Sequence, residues 1–166
     1  MSSVSSVQVG VAEQIVWVRV DGRGSFQNST ALKEFATEMT RRGHREFIID
    51  LEDCELMDST FMGTLAGIAL QVGDGGQVRI IHANRRNRDV LKNLGLDRIM
   101  NLEDEGPSTP TKAMRDAESH PPQEAARETI IKAHQNLIEA NPRNAVRFKD
   151  VIEFLKGKEP EQQSHS

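Results

Sequence analysis

The chain has 166 residues, 37% of them hydrophobic and 28% charged, with a net charge of −4. That is enough for one ordinary globular domain plus an extension. The acidic balance excludes a broad basic footprint for nucleic acid, and aromatics at 4% without a single Tyr argue against a base-stacking platform.

Cys54 stands alone, so it has no intramolecular disulfide partner, and its isolation fits a reducing compartment. The N-terminal MSSVSSVQVG lacks a basic region followed by an apolar run, so no secretory leader is expected. Apolar stretches stay well short of the ~18–20 residues of a membrane span. A cytoplasmic protein without direct membrane insertion is the expectation.

Residues 7–12 (VQVGVA) and 15–20 (IVWVRV) are rich in β-branched side chains and flank Glu13-Gln14, which predicts a hairpin. The segment 21–29, DGRGSFQNS, is loop chemistry, with Asn28 or Ser29 placed to cap a helix after it. From Ala31 to Arg42 the residues Leu32, Phe35, Ala36 and Met39 recur at helical spacing, and Gly43 supplies a stop. A buried strand is expected at 47–51 (FIIDL), followed by an acidic turn at 52–55 (EDCE). A second helix runs from about Ser59 to Val72 and ends on the turn GDGG at 73–76. Residues 77–83 (QVRIIHA) read as a strand, and a third helix starts near Arg85, with Gly95 as its left-handed stop. A last short strand is expected at 98–102 (RIMNL). The order β-β-α-β-α-β-α-β predicts a mixed sheet with helices packed on it.

Beyond residue 102 the composition changes. Residues 103–122 read as a linker, rich in Pro, Ser and charge near its start. Residues 123–157 predict a helical hairpin around an Asn141-Pro142 turn. Its first helix carries Ala126, Ile130, Ile131, His134, Leu137 and Ile138 on one face. Residues 158–166 are expected to be disordered.

The five histidines show no pairing at metal-ligand spacing, and His134 on its apolar face reads as structural. A phosphate-binding glycine loop and a nucleophile elbow are both missing. The basic stretch NRRNRD at 84–89 reads as a solvated first helical turn. The triad Asp58-Ser59-Thr60 at a helix start is more informative. Asp58 suits the N-cap, and a hydroxyl beside it points outward from a helix pole that tolerates anions. Phosphorylation there would add ~1.5–2 negative charges, sparing the fold while closing a docking face beside Asp58, Glu55 and Glu52.

The successions FIIDLEDCELMDSTFMGTLAGIAL (47–70) and GDGGQVRIIHANRRNRDVLKNLGLDRIMNL (73–102) resemble the STAS domain, and closely the bacterial anti-sigma-factor antagonists. The resemblance covers about residues 7–102. It rests on the strand, the Asp-Ser pair, Gly63 one turn on, the G-G-x-V-x-I-I strand and the Leu-Gly-Leu helix end, all in family order. It implies a STAS-like α/β fold: a mixed four- to five-stranded sheet with helices on one face in residues 1–102, here with the C-terminal helical hairpin added. It also implies that Ser59 is the phospho-acceptor, with Thr60 as the alternative. The implied partners are an anti-sigma factor or serine kinase and a Ser/Thr phosphatase, with no cofactor, metal or nucleic acid. Contacts are expected at Asp58, Ser59, Thr60, Phe61 and Met62, and in the loop at Ser25, Phe26 and Asn28. The chain departs from the family where Phe61 replaces the usual Gly, which either widens an apolar docking surface or shields the hydroxyl. The 22–29 loop also lacks the usual acidic tip.

Two functions compete on these residues. One is a non-enzymatic, phosphorylation-switched module in a partner-switching pathway. The other is a non-switching STAS scaffold subunit of a sensory assembly or transporter complex. The hairpin either packs on the domain or docks a partner or a second copy of the chain.

Overall fold

The computed structural model describes residues 5–117 and 123–157; the expected disordered tail at 158–166 lies outside them. Strands β1 (Ser6–Ala12) and β2 (Ile15–Gly24) form the expected hairpin, antiparallel with Val11 opposite Val16. Glu13 and Gln14 both take positive φ, 52° and 70°, the geometry that a two-residue turn needs to follow strand twist. Strand β2 pairs in parallel with β3 (Glu46–Asp50), which pairs with β5 (Gln77–Ile81), which pairs with β6 (Asn101–Glu103).

Among the described residues the sheet has seven strands where four or five were expected. One addition is β4 (Cys54–Met57), in the stretch that begins as an acidic turn; it pairs in parallel with the end of β2. The register shifts between Gly22 and Arg23, and Gly22 has φ +83°, so β2 bends there and exchanges neighbours. The other is β7 (Arg115–Asp116), inside the expected linker, which closes the free edge of β1. Neither carries an alternating apolar pattern, since both are recruited by backbone pairing.

Helix α1 (Phe26–Arg41) begins five residues earlier than its apolar spacing indicates. Its N-cap is Ser25, in a capping box whose return bond comes from Asn28 in place of the usual Glu or Gln. The expected loop at 21–29 is therefore the end of a strand and the start of a helix. Helix α2 (Ser59–Val72) falls where expected and is buried over most of its circumference. Helix α3 (Arg85–Asn93) is capped by Asn84 and stopped by Gly95 at φ +76°. Its first-turn Arg85 and Arg86 are exposed, as a solvated turn requires.

The main core gathers Val16, Val18, Phe47, Ile49 and Ile80 from one sheet face with Leu32, Leu65, Leu91 and Leu137 from the helices. Trp17, Ile48 and Ile81 point to the other face, where Met114 packs on them. The helices thus stack on one face, and the hairpin of α4 (Gln123–Ala140) and α5 (Ala145–Lys156) forms a further layer over α2.

The packed face of α4 is rotated from the apolar stripe. Thr129, Ala133, His134, Asn136 and Leu137 are buried, while Ile130, Ile131 and Ile138 are half-buried. Helix α5 has no buried residue, and Val146 is 91% exposed. The turn between the helices is pinned by Asn144, whose side-chain amide donates to the carbonyls of Leu94 and Leu137 at 3.0 and 2.8 Å.

Candidate functional site

The starts of α1 and α2 meet at Asp58. Its Oδ1 accepts the Phe61 N–H at 2.8 Å, and its Oδ2 accepts the Phe26 N–H at 2.9 Å. Its own N–H donates to the Gly24 carbonyl at 2.9 Å. One carboxylate therefore satisfies donors from two helix termini and fixes their relative position. The convergence concentrates positive pole character beside Ser59, the first residue of α2.

Ser59 is half-buried, and its hydroxyl lies 2.8 Å from His134 Nε2. The other ring nitrogen, Nδ1, lies 2.7 Å from the Ile130 carbonyl. A carbonyl only accepts, so Nδ1 carries the proton. In the neutral ring Nε2 is then the acceptor, and Ser59 donates to it. Phe148 of α5 packs against the imidazole with ring centroids 5.0 Å apart. The hydroxyl expected to point outward is thus handed to a residue 75 positions away.

This contact is set by the approach of α4 to α2. A Cβ at Gly63 would lie 2.1 Å from the Ala133 carbonyl oxygen, and one at Gly67 would lie 2.4 Å from the Asn136 side chain. Glycine at position 63 lets the α4 backbone come this close, and Gly67 one turn on leaves room for the Asn136 amide. Asn136 donates to the Gly63 carbonyl at 3.2 Å, and Thr30 of α1 donates to Thr129 at 3.0 Å. A cavity of about 330 Å³ opens beside this junction, lined by Lys33, Thr64, Gly67, Thr129, Lys132 and Asn136, among others; neither Ser59 nor His134 lines it.

The other expected contact residues divide. Phe26 is 50% exposed beside Asp58. Ser25 is buried as the N-cap of α1, and Asn28 spends its side chain on the Ser25 N–H and the Arg23 carbonyl. Thr60 and Met62 are buried. Phe61 is 0% exposed and packs beneath Gly24, where a Cβ would meet its ring at 2.6 Å. Phe61 therefore neither widens a docking surface nor shields the hydroxyl; the aromatic is a core residue admitted by a glycine across from it. Shielding comes from His134, which the apolar-face reading treats as structural only. Its one trace in the sequence is the Gly63–Gly67 pair, two side-chain-free places on α2 against which the α4 backbone and the Asn136 amide pack.

Asp50, Glu52 and His82 place ligand-type atoms within 4.8 Å of one another, a grouping that chain spacing does not reveal. The buried Asp50 carboxylate is already committed, accepting from the Thr109 hydroxyl at 2.5 Å and the Glu52 N–H at 3.0 Å. The grouping reads as a brace for the strand end. Among the described residues, no helix is long and apolar enough to cross a membrane.

The STAS domain family matches residues 6–107. The chain belongs to the STAS-domain family. Solved structures with the same STAS fold include an anti-sigma factor antagonist from Mycobacterium paratuberculosis, 20% identical, with a TM-score of 0.55 over 68% of this chain and 95% of that one. SpoIIAA, an anti-sigma factor antagonist, matches in its unphosphorylated form at 16% identity and a TM-score of 0.51, over 65% of this chain and 94% of that one. The Bacillus cell-fate determinant SpoIIAA in its phosphorylated form matches at 19% identity and 0.52, over 65% and 96%. No curated protein matches. The STAS match ends at residue 107, so the hairpin that covers Ser59 lies outside the matched segment.

Proposed function

We propose that this STAS protein is a phosphorylation-switched binding module, an anti-sigma-factor antagonist acting in a partner-switching pathway, with Ser59 as its acceptor. The observation that carries this reading is the position of Ser59: first residue of α2, beside an Asp58 that joins two helix starts. Added charge there meets two positive helix poles, so the fold accepts it. A surface that binds an anti-sigma factor or serine kinase when neutral would repel it when phosphorylated, and a Ser/Thr phosphatase would restore binding. The exposed Phe26 beside Asp58 offers that partner an apolar anchor.

The scaffold reading has one observation in its favour, the engagement of Ser59 with His134 inside the chain. The two separate in a single experiment: recover the tagged protein from its host, identify bound proteins, and map phosphate by mass spectrometry. The switch reading expects phosphate on Ser59, loss of the partner in Ser59→Asp and retention in Ser59→Ala. Unaltered binding in both variants, with Ser59 unmodified, rejects it.

A further inference from the structure

Resting on Ser59 as the acceptor, we propose that the α4–α5 hairpin is a removable cover of that site, latched by Ser59 and His134, and that phosphorylation or partner docking occurs on the uncovered chain.

The first ground is steric. Ser59 Oγ and His134 Nε2 are in hydrogen-bond contact at 2.8 Å, and His134 is 3% exposed. A phosphoryl group on Oγ would occupy the space of the imidazole. The transfer itself forms an Oγ–P bond and breaks the bond from that phosphorus to the bridging oxygen of a nucleoside triphosphate. The hydroxyl proton passes to the kinase's base. The product then has no proton to offer Nε2, so the latch loses its donor in the same step.

The second ground is shared surface. The Ala133 backbone sits on Gly63, one turn from Ser59. A partner laid over the start of α2 needs the space that α4 fills.

The third ground is the chemistry of the junction. Ser59–His134, Thr30–Thr129 and Asn136–Gly63 are hydrogen bonds that water can replace on opening. Leu137 is fully buried in the core, but the large side chains of Ile130, Ile131 and Ile138 are only half-buried. A junction that mixes an apolar anchor with replaceable hydrogen bonds separates more readily than a wholly apolar core.

The test uses the full chain with Cys54→Ala, iodoacetamide as probe and Thr64→Cys as reporter, a position on α2 that is buried beside the α4 junction and outside the latch. In one arm Leu137→Asp places a charge in the α4 contact; in another Gly63→Leu pushes α4 away from the α2 side. Hydrogen exchange of the β2, β3 and β5 amides checks that the sheet stays folded. The covered chain should be alkylated about 10-fold more slowly than either opened one, because access scales with the open fraction. Equal rates with a protected sheet overturn the cover. In parallel, the parent and Leu137→Asp, each with Ser59 retained, are recovered from the host. More phosphate on Ser59 in Leu137→Asp supports the cover, and equal occupancy overturns it as a regulator. Absence of phosphate from both overturns the acceptor reading, while the alkylation rates still judge the cover.

Discussion

Asp58 shows how a single side chain can position a site without taking part in its chemistry. It accepts one N–H from each of two helix starts, so Asp58→Ala leaves two donors to find water or strain. The expected loss is about 2 kcal/mol, roughly one for the cap and one for the second donor, read from urea unfolding. Cys54 makes a different point. Burial pushes its thiol up to about 11, against the opposing hydrogen bonds around it. At pH 8 the native protein should therefore leave this thiol unreacted with iodoacetamide, and the unfolded chain should react fully. Ser59 and His134 form a pair suited to a double-mutant cycle. Ser59→Ala and His134→Ala should show a coupling of about 1 kcal/mol in stability, and additive effects would mean that the contact contributes nothing.

At the scale of elements, β5 and β6 are clamped by Arg79, whose guanidinium makes two 2.9 Å bonds to the Glu103 carboxylate. That contact holds the Glu103 carboxyl below the usual carboxylate range. A lowered carboxyl adds stability above its ordinary pKa and loses it as pH falls through the folded value. Glu103→Gln should accordingly flatten the acid limb of a stability–pH profile and leave the limb above neutrality unchanged. The pair is partly solvated, so the effect is modest. Elements with a strong period or an unambiguous cap were legible in the sequence: the first hairpin, α2 to the residue, β5, and the stop at Gly95. Strands β4 and β7 were not, because four and two residues are too few to show a strand period, even though Cys54 and Met57 of β4 reach the core. The start of α1 was hidden by an Asn in the return position of its capping box. The packed face of α4 was misplaced because Thr129 and Asn136 are buried by partners distant in sequence, which an apolar count along one helix cannot register.

For the whole molecule, the sheet and its helices form one apolar core, which the hairpin joins through Leu137 and Ala133 and through a set of side-chain hydrogen bonds. Stability should then be uneven. Native-state hydrogen exchange should give amides in α4 and α5 a lower opening free energy than those in β2, β3 and β5. Coincident values would make the layers a single cooperative unit. The position of Ser59 itself was legible, since Asp-Ser at a helix start after a buried strand survives intact in the structure. Its neighbour across the junction was not, because no local pattern joins residue 59 to residue 134.

The pairing of Arg115 and Asp116 with β1 reaches beyond edge protection. It anchors the chain to the sheet at Asp116, a few positions in sequence before α4 begins at Gln123. A detached hairpin thus stays near its seat at a local concentration on the order of millimolar. Any rival for that seat must outcompete a neighbour that never diffuses away.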